Sequence, residues 1–316
     1  MSVFENVINE ANKKNEVNNV PPESVEVADE GEGKKSFAER MAEKKNQCYA
    51  MIDDACLNAV SSIESLRQFL NVQSRFDKYS LNNALLIFEQ KPDAVKLKEL
   101  AAWNKEDISV KKGAKSIMIL EPSPYKGTDG KMHRGYNAKN VFDISDVEAP
   151  EDALPQPKSY EQKQLVAALV HEAPVPVRKA EHSLGENDAI YDAKNKVVYF
   201  KAGLEFDAIF PALAKALAHA EMAKDVENYR IGEHEFAARC SAYVLSQRYG
   251  VDTRTVDVYG IPKNFETMEA EDVKKVLGDV HSNVKTINAR MNESLEQTQN
   301  KEQQTPNKGN KNREER

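Results

Sequence analysis

Apolar residues recur at helical intervals along most of this chain. Met51, Cys56, Ala59, Ile63, Leu66 and Leu70 form one such stripe. Ser36, followed three residues on by Glu39, has the spacing of a capping box and predicts a helix start there. Ser80 predicts a second cap, for a helix in which Leu81, Leu85 and Phe88 share a face and which stops at Lys91-Pro92-Asp93. A short helix is expected over Leu97–Asn104. The period then changes. Ser116-Ile-Met-Ile-Leu is a β-rich apolar run, Lys126-Gly-Thr-Asp-Gly-Lys131 is a hairpin-like turn, and Tyr136 to Ile144 returns as a strand.

Beyond the Pro- and acid-rich stretch Glu148-Ala-Pro-Glu-Asp-Ala-Leu-Pro-Gln-Pro, the pattern predicts a helix from Tyr160 to His171. Short strands near Val175–Arg178, Ala189–Tyr191 and Val197–Phe200 follow. Helices are then expected over Phe206–Ala223, over Glu233–Tyr249 with Gly250 as its C′ residue, and over Glu269–Met291. The fold class is α+β: a helical first domain with a small antiparallel sheet at 36–148, a linker at 149–158, and a helix-rich second domain at 159–291. Residues 1–35 and 292–316 are too polar to bury a core and are expected to be disordered.

Composition adds a compartment and a charge asymmetry. No apolar run is long enough to span a bilayer and the first residues lack a signal-peptide core, so a cytoplasmic protein without membrane contact is expected. Cys48, Cys56 and Cys240 show no metal-type spacing and read as reduced, buried thiols. The net charge is −7, unevenly spread. Between Asn71 and Ser145 thirteen Lys/Arg face nine Asp/Glu, whereas between Asp146 and Arg290 eighteen face twenty-four. A basic segment in an acidic chain is where a polyanion would bind.

Five separated segments, in order, resemble one family. They are Asp77-Lys-Tyr-Ser-Leu-Asn-Asn-Ala-Leu-Leu-Ile, Gln90-Lys-Pro-Asp-Ala, Trp103, Val110-Lys-Lys-Gly-Ala-Lys-Ser-Ile-Met-Ile-Leu-Glu-Pro and Val141-Phe-Asp-Ile-Ser. The resemblance is to the N-terminal single-stranded-DNA-binding domain of ArdC-type antirestriction and LtrC-like proteins of mobile elements. The second block resembles the zincin-like metallopeptidase domain that follows it in those proteins. The resemblance implies single-stranded DNA as partner, with antirestriction or DNA protection as the role and host or mobile-element proteins as further partners. A single-strand site needs cations along phosphates and rings beneath bases. Lys111, Lys112 and Lys115 around Gly113 supply the first; Tyr79 and Trp103 are candidates for the second, although Trp103 also suits a core. Asn82 and Asn83 can reach phosphate or base edges, or bond backbone in their own helix turn. Lys126, Lys131 and Arg134 at the hairpin are weaker candidates.

The family's second domain carries His-Glu-x-x-His, whose i and i+4 imidazoles meet one Zn²⁺ while the glutamate activates water. Here the matching stretch is Lys215-Ala216-Leu217-Ala218-His219. Lysine offers no lone pair and alanine cannot act as a base. In the next helix Arg239 falls where an acidic residue is usual and Glu235 matches another family glutamate, either position being a candidate third ligand. Lys215, Ala216, His219, Glu235 and Arg239 thus read as a degenerate site with neither metal nor cofactor, in a pseudo-metallopeptidase rather than an enzyme. A retained carboxylate would need a new counter-charge, so Lys215 is expected to reach Glu235 or Glu221. The alternatives are an active zinc metallopeptidase acting on a host protein and a non-catalytic protein-interaction scaffold; His219 with His234 and Glu235 is a candidate only for adventitious metal.

Overall fold

In a computed structural model, the residues described are 36–150, 153–155, 159–254, 256, 258 and 260–304. The expected arm at 1–35 lies outside them, as do 151–152 and 156–158 of the expected linker. The chain divides into two compact units, 1–40 and 41–316. Residues 36–40 open the first helix, α1 (Phe37–Ala59), through the expected capping box. The Ser36 amide donates to Glu39 Oε2 (2.7 Å) and the Glu39 amide donates to Ser36 Oγ (3.2 Å).

The stripe from Met51 to Leu70 is interrupted. Ser62 is extended and caps α2 (Ile63–Arg75), its side chain accepting from the Ser65 amide. Ser80 caps α3 (Leu81–Gln90) in the same way, accepting from Asn83. Where one short helix was expected over Leu97–Asn104, the chain forms strand β1 (Leu97–Lys98) and then α4 (Leu100–Asn104). The carboxylate of Asp143 fixes the approach to β1 by accepting from the Val95 and Lys96 amides at 2.7 and 2.9 Å.

β2 (Ile117–Pro122) and β5 (Tyr136–Asp143) pair antiparallel from Ile117↔Val141 to Pro122↔Tyr136, and β1 lies on the other side of β5. Between them the hairpin β3 (Tyr125–Lys126) and β4 (Met132–His133) forms a separate two-stranded sheet. β2 is an edge strand, yet its outer backbone is satisfied. Asn83 donates to Leu120 O and accepts from Leu120 N (2.9 and 2.8 Å), and Gln90 does the same with Met118 (2.9 and 2.8 Å). Two amide side chains of α3 thus stand in for a neighbouring strand, a device that blocks unwanted edge pairing.

The second block holds α5 (Gln162–Val170) and a sheet of β6 (Val177–Lys179), β7 (Ala189–Asp192) and β8 (Val197–Phe200). β8 is central, parallel to β6 and antiparallel to β7. Helices α6 (Phe206–Met222), α7 (Ile231–Arg248) and α8 (Ala270–Gln304) complete it. Gly250 follows α7 at φ +69°, as a C′ glycine should.

Two expectations are corrected. The blocks at 36–148 and 159–291 are not separate domains. One hydrophobic cluster runs from Phe69, Leu85 and Ile119 through Leu213, Val244 and Leu277, and α2 packs on α7. Polar bonds reinforce that contact: Tyr243 donates to Asn71 Oδ1 (3.2 Å), and Arg248 donates to Gln73 O (2.9 Å) and pairs with Asp77 (3.3 Å). Nor does order end at residue 291. α8 continues to Gln304, because Ile287, Met291 and Leu295 extend its apolar stripe into the core. Residues 305–316 of the expected tail lie outside the described residues. No helix among the described residues is long and apolar enough to cross a membrane.

Candidate functional site

The start of α3, β1, α4 and the β2–β5 pair enclose a groove of about 520 Å³. Tyr79 lies on its rim, where the loop turns into α3; Tyr136 enters from the start of β5, and Leu97 and Pro122 add apolar wall. The Tyr79 ring is braced edge-on by Phe76 at 5.5 Å, and partial burial pushes its phenol pKa up, so it stays neutral. Two of the groove lysines are already paired. Lys139 binds Glu99 (2.5 Å) and Glu121 (2.8 Å), and Lys98 binds Glu106 while lying 4.7 Å over the Trp103 ring. Lys78 is exposed and makes no ion pair among the described residues.

Of the sequence candidates, Tyr79 and Asn83 line this groove, but Asn83 is not free to read a ligand. It is buried, and both ends of its amide are engaged by Leu120. It bonds the backbone of β2 and not of its own turn. Asn82 is half-buried and does not line the groove. Trp103 is 0 % exposed, packs with Ile108, Ile144 and Val147, and donates its indole N–H to Phe142 O (3.1 Å). The expectation that it stacks on a base is therefore withdrawn: its face is covered and its polar edge satisfied. Lys111, Lys112 and Lys115 are exposed in the turn before β2, where Gly113 adopts φ +85°. Lys111 Nζ donates to Ser145 O (3.0 Å), and none of the three lines the groove. Lys78 and Tyr136, which the sequence reading passed over, do. Tyr136 carried a signal only as the aromatic start of a strand.

A second constellation lies between α6 and α7. Lys215 and His219 share one face of α6, Glu235 and Arg239 share one face of α7, and the two i, i+4 pairs meet. Glu235 gathers three donors: Lys215 Nζ at 3.1 Å and Arg239 Nε at 2.8 Å on Oε1, and His219 Nε2–H at 2.9 Å on Oε2. A carboxylate only accepts, so Nε2 carries the proton, and in the neutral ring Nδ1 accepts from the Tyr229 hydroxyl at 2.7 Å. Burial drives the Tyr229 phenol far above its ordinary range, which keeps that donor protonated. The hydrogen bond from His219, then those from Arg239 and Lys215, hold the Glu235 carboxyl well below the usual range despite partial burial.

The expected contact from Lys215 is therefore made to Glu235. It is not made to Glu221, which is held by Arg290 (2.6 Å) and Lys224 (3.1 Å). His234, the other candidate ligand, stacks on Tyr229 with ring centroids 4.7 Å apart. These residues do not fit a metal. Lys215 has no lone pair to give, Ala216 is buried and inert, and among the described residues no group of three His, Cys, Asp or Glu is placed to hold an ion. Tyr229 and Arg290 were not singled out in the sequence, since neither belongs to the metal motif.

No protein-family model and no curated protein matches this sequence. Solved structures do. The chain aligns with the metal-free crystal structure of the ArdC antirestriction protein from plasmid R388 at a TM-score of 0.52 and 12 % identity, over 78 % of this chain and 98 % of that one. The Mn(II)-bound structure of the same protein aligns at a TM-score of 0.53 over the same shares. The groove and the charge cluster thus sit on the fold of the ArdC antirestriction protein.

Proposed function

We propose that this chain binds single-stranded DNA in the groove between α3 and the β2–β5 pair, as a non-hydrolytic antirestriction or DNA-protection protein of a mobile element. The observation that carries the reading is the groove itself, a cleft rimmed by the Tyr79 and Tyr136 rings beside the exposed Lys78, with the exposed cations of the 111–115 turn on the same unit. Rings that stack on any base, together with cations that follow a backbone, suit a single strand better than a duplex. The similarity to a protein described as antirestriction suggests the biological setting. On this reading the α6–α7 half contributes no water-activating chemistry, because Lys215 and Ala216 stand where a ligand and a base would be needed.

Fluorescence anisotropy of labelled single- and double-stranded oligonucleotides against salt tests the proposal. Wild type is expected to prefer the single strand. Tyr79→Ala is expected to weaken it by about tenfold, the loss of one stacked base. Combined Lys111→Ala, Lys112→Ala and Lys115→Ala is expected to flatten the log–log salt slope by about 2, three phosphate contacts at roughly 0.7 each. Equal affinity for duplex and single strand, or binding indifferent to salt, would overturn it.

A further inference from the structure

The hairpin between β2 and β5 puts rings on the surface and fixes them there. Tyr125 and His133 are cross-strand partners with centroids 5.5 Å apart and nearly parallel planes. Tyr125 nevertheless remains 57 % exposed, and Met132 beside it 67 %. The turn is shaped around this pair. Asp129 accepts from the Lys131 amide (3.0 Å) and from His133 Nε2 (2.9 Å), holding the imidazole in place. A Cβ on Gly127 would lie 2.5 Å from that imidazole, and one on Gly135 would lie 2.7 Å from Ser123 O and 3.0 Å from the Tyr125 ring. Both positions therefore require glycine for the rings to sit as they do.

Charge and continuity give this exposed pair a direction. Lys126, Lys131 and Arg134 are exposed and make no ion pair among the described residues, and the hairpin's one carboxylate, Asp129, is engaged internally. The hairpin is also the outward extension of a groove wall. Pro122 and Tyr136, both groove residues, pair with each other, and the next step outward is Ser123 N donating to Gly135 O (2.9 Å). A two-stranded ribbon would be stabilised as well by burying Tyr125; presenting it serves contact with something flat.

We propose that the hairpin spanning residues 123–135 is a second single-strand contact, in which Tyr125, backed by His133, stacks a base of a strand leaving the groove past Tyr136. Lys126, Lys131 and Arg134 meet the phosphates of that stretch. This inference rests on the groove reading above and extends its footprint along the molecule.

The test is anisotropy of full-length protein with labelled homothymidine oligonucleotides of about 4 to 16 nucleotides, the range of known single-strand site sizes. Wild-type affinity is expected to keep rising with length after the groove is filled. Tyr125→Leu, which keeps apolar bulk against His133 but no ring, is expected to remove that rise and weaken the long oligonucleotides about tenfold. Tyr125→Phe is expected to restore it. Short oligonucleotides are expected to bind both variants like wild type. Should long oligonucleotides bind Tyr125→Leu as tightly as wild type while Tyr79→Ala weakens them, the hairpin proposal falls and the groove stands. If wild type binds no length at all, both fall.

Discussion

Glu235 is the residue on which the α6–α7 half turns. Its carboxylate takes hydrogen bonds from a lysine, an arginine and a histidine at once, so positive charge is supplied by side chains rather than by an ion. Replacing Lys215 with histidine would exchange a blocking ammonium for a second imidazole one turn from His219, opposite Glu235. Wild type is expected to show no change in Tm with Zn²⁺ or Mn²⁺, and Lys215→His a metal-dependent rise; a stoichiometric metal in purified wild type would contradict this. Acid gives an independent readout. The folded pKa of Glu235 lies below the value of about 4.3 for a free glutamate, so its stabilising contribution is complete above that pH and lost as the pH falls below it. Glu235→Gln is therefore expected to be less stable than wild type by about 1–2 kcal/mol near neutrality. In urea titrations the two should converge under acid; a gap independent of pH would mean the carboxylate's charge is not what stabilises. The Lys215 contact was legible from the sequence only as a choice between Glu235 and Glu221, because a retained carboxylate needs a counter-charge and the pattern does not say which of the two faces Lys215. The burial of Trp103 was not, since nothing local distinguishes a tryptophan that caps a small satellite cluster from one that faces a ligand.

At the scale of elements, α3 and β2 are bound by more than apolar contact. Asn83 and Gln90 each close a two-bond ring with a β2 residue, and without them the outer edge of β2 would present free amides and carbonyls. Asn83→Leu is expected to cost about 2–3 kcal/mol, from two lost bonds and the buried Leu120 backbone left unsatisfied. The double variant with Gln90→Leu is expected to associate on concentration, read by light scattering. A monomeric double variant with near wild-type stability would show that the amides do not guard the edge. The hydrophobic pattern located both elements, because apolar periodicity reports what faces the core. It is silent on a polar side chain whose partners lie 37 residues away, as for Asn83 and Leu120. The end of α8 was hidden for a related reason: Leu295 alone, among Gln, Asn and Glu, looks like a polar tail until Met291 is seen one turn before it.

For the whole molecule, the question is what the α6–α7 half contributes to the groove. The shared core supplies an answer in packing. The face of α2 that buries Leu66, Phe69 and Leu70 belongs to the same apolar cluster as α6, α7 and α8, and Arg248 and Tyr243 tie the two blocks with polar bonds. The groove is built on α3, next in sequence to α2, so removing α7 would expose apolar surface within a few residues of Tyr79. The linker-like composition at 149–158 marks a change in chain character, not a boundary between cores, and no pattern confined to either block discloses that they share one. The isolated 36–148 fragment is accordingly expected to lack a cooperative thermal transition and to bind a hydrophobic dye, whereas the full chain unfolds as one unit. Cutting after Met291 should lower Tm by stripping Leu295 from the core. A fragment that folds cooperatively by itself would return the second block to the standing of an independent domain. Its role would then need an explanation in binding partners rather than in the support it gives the groove.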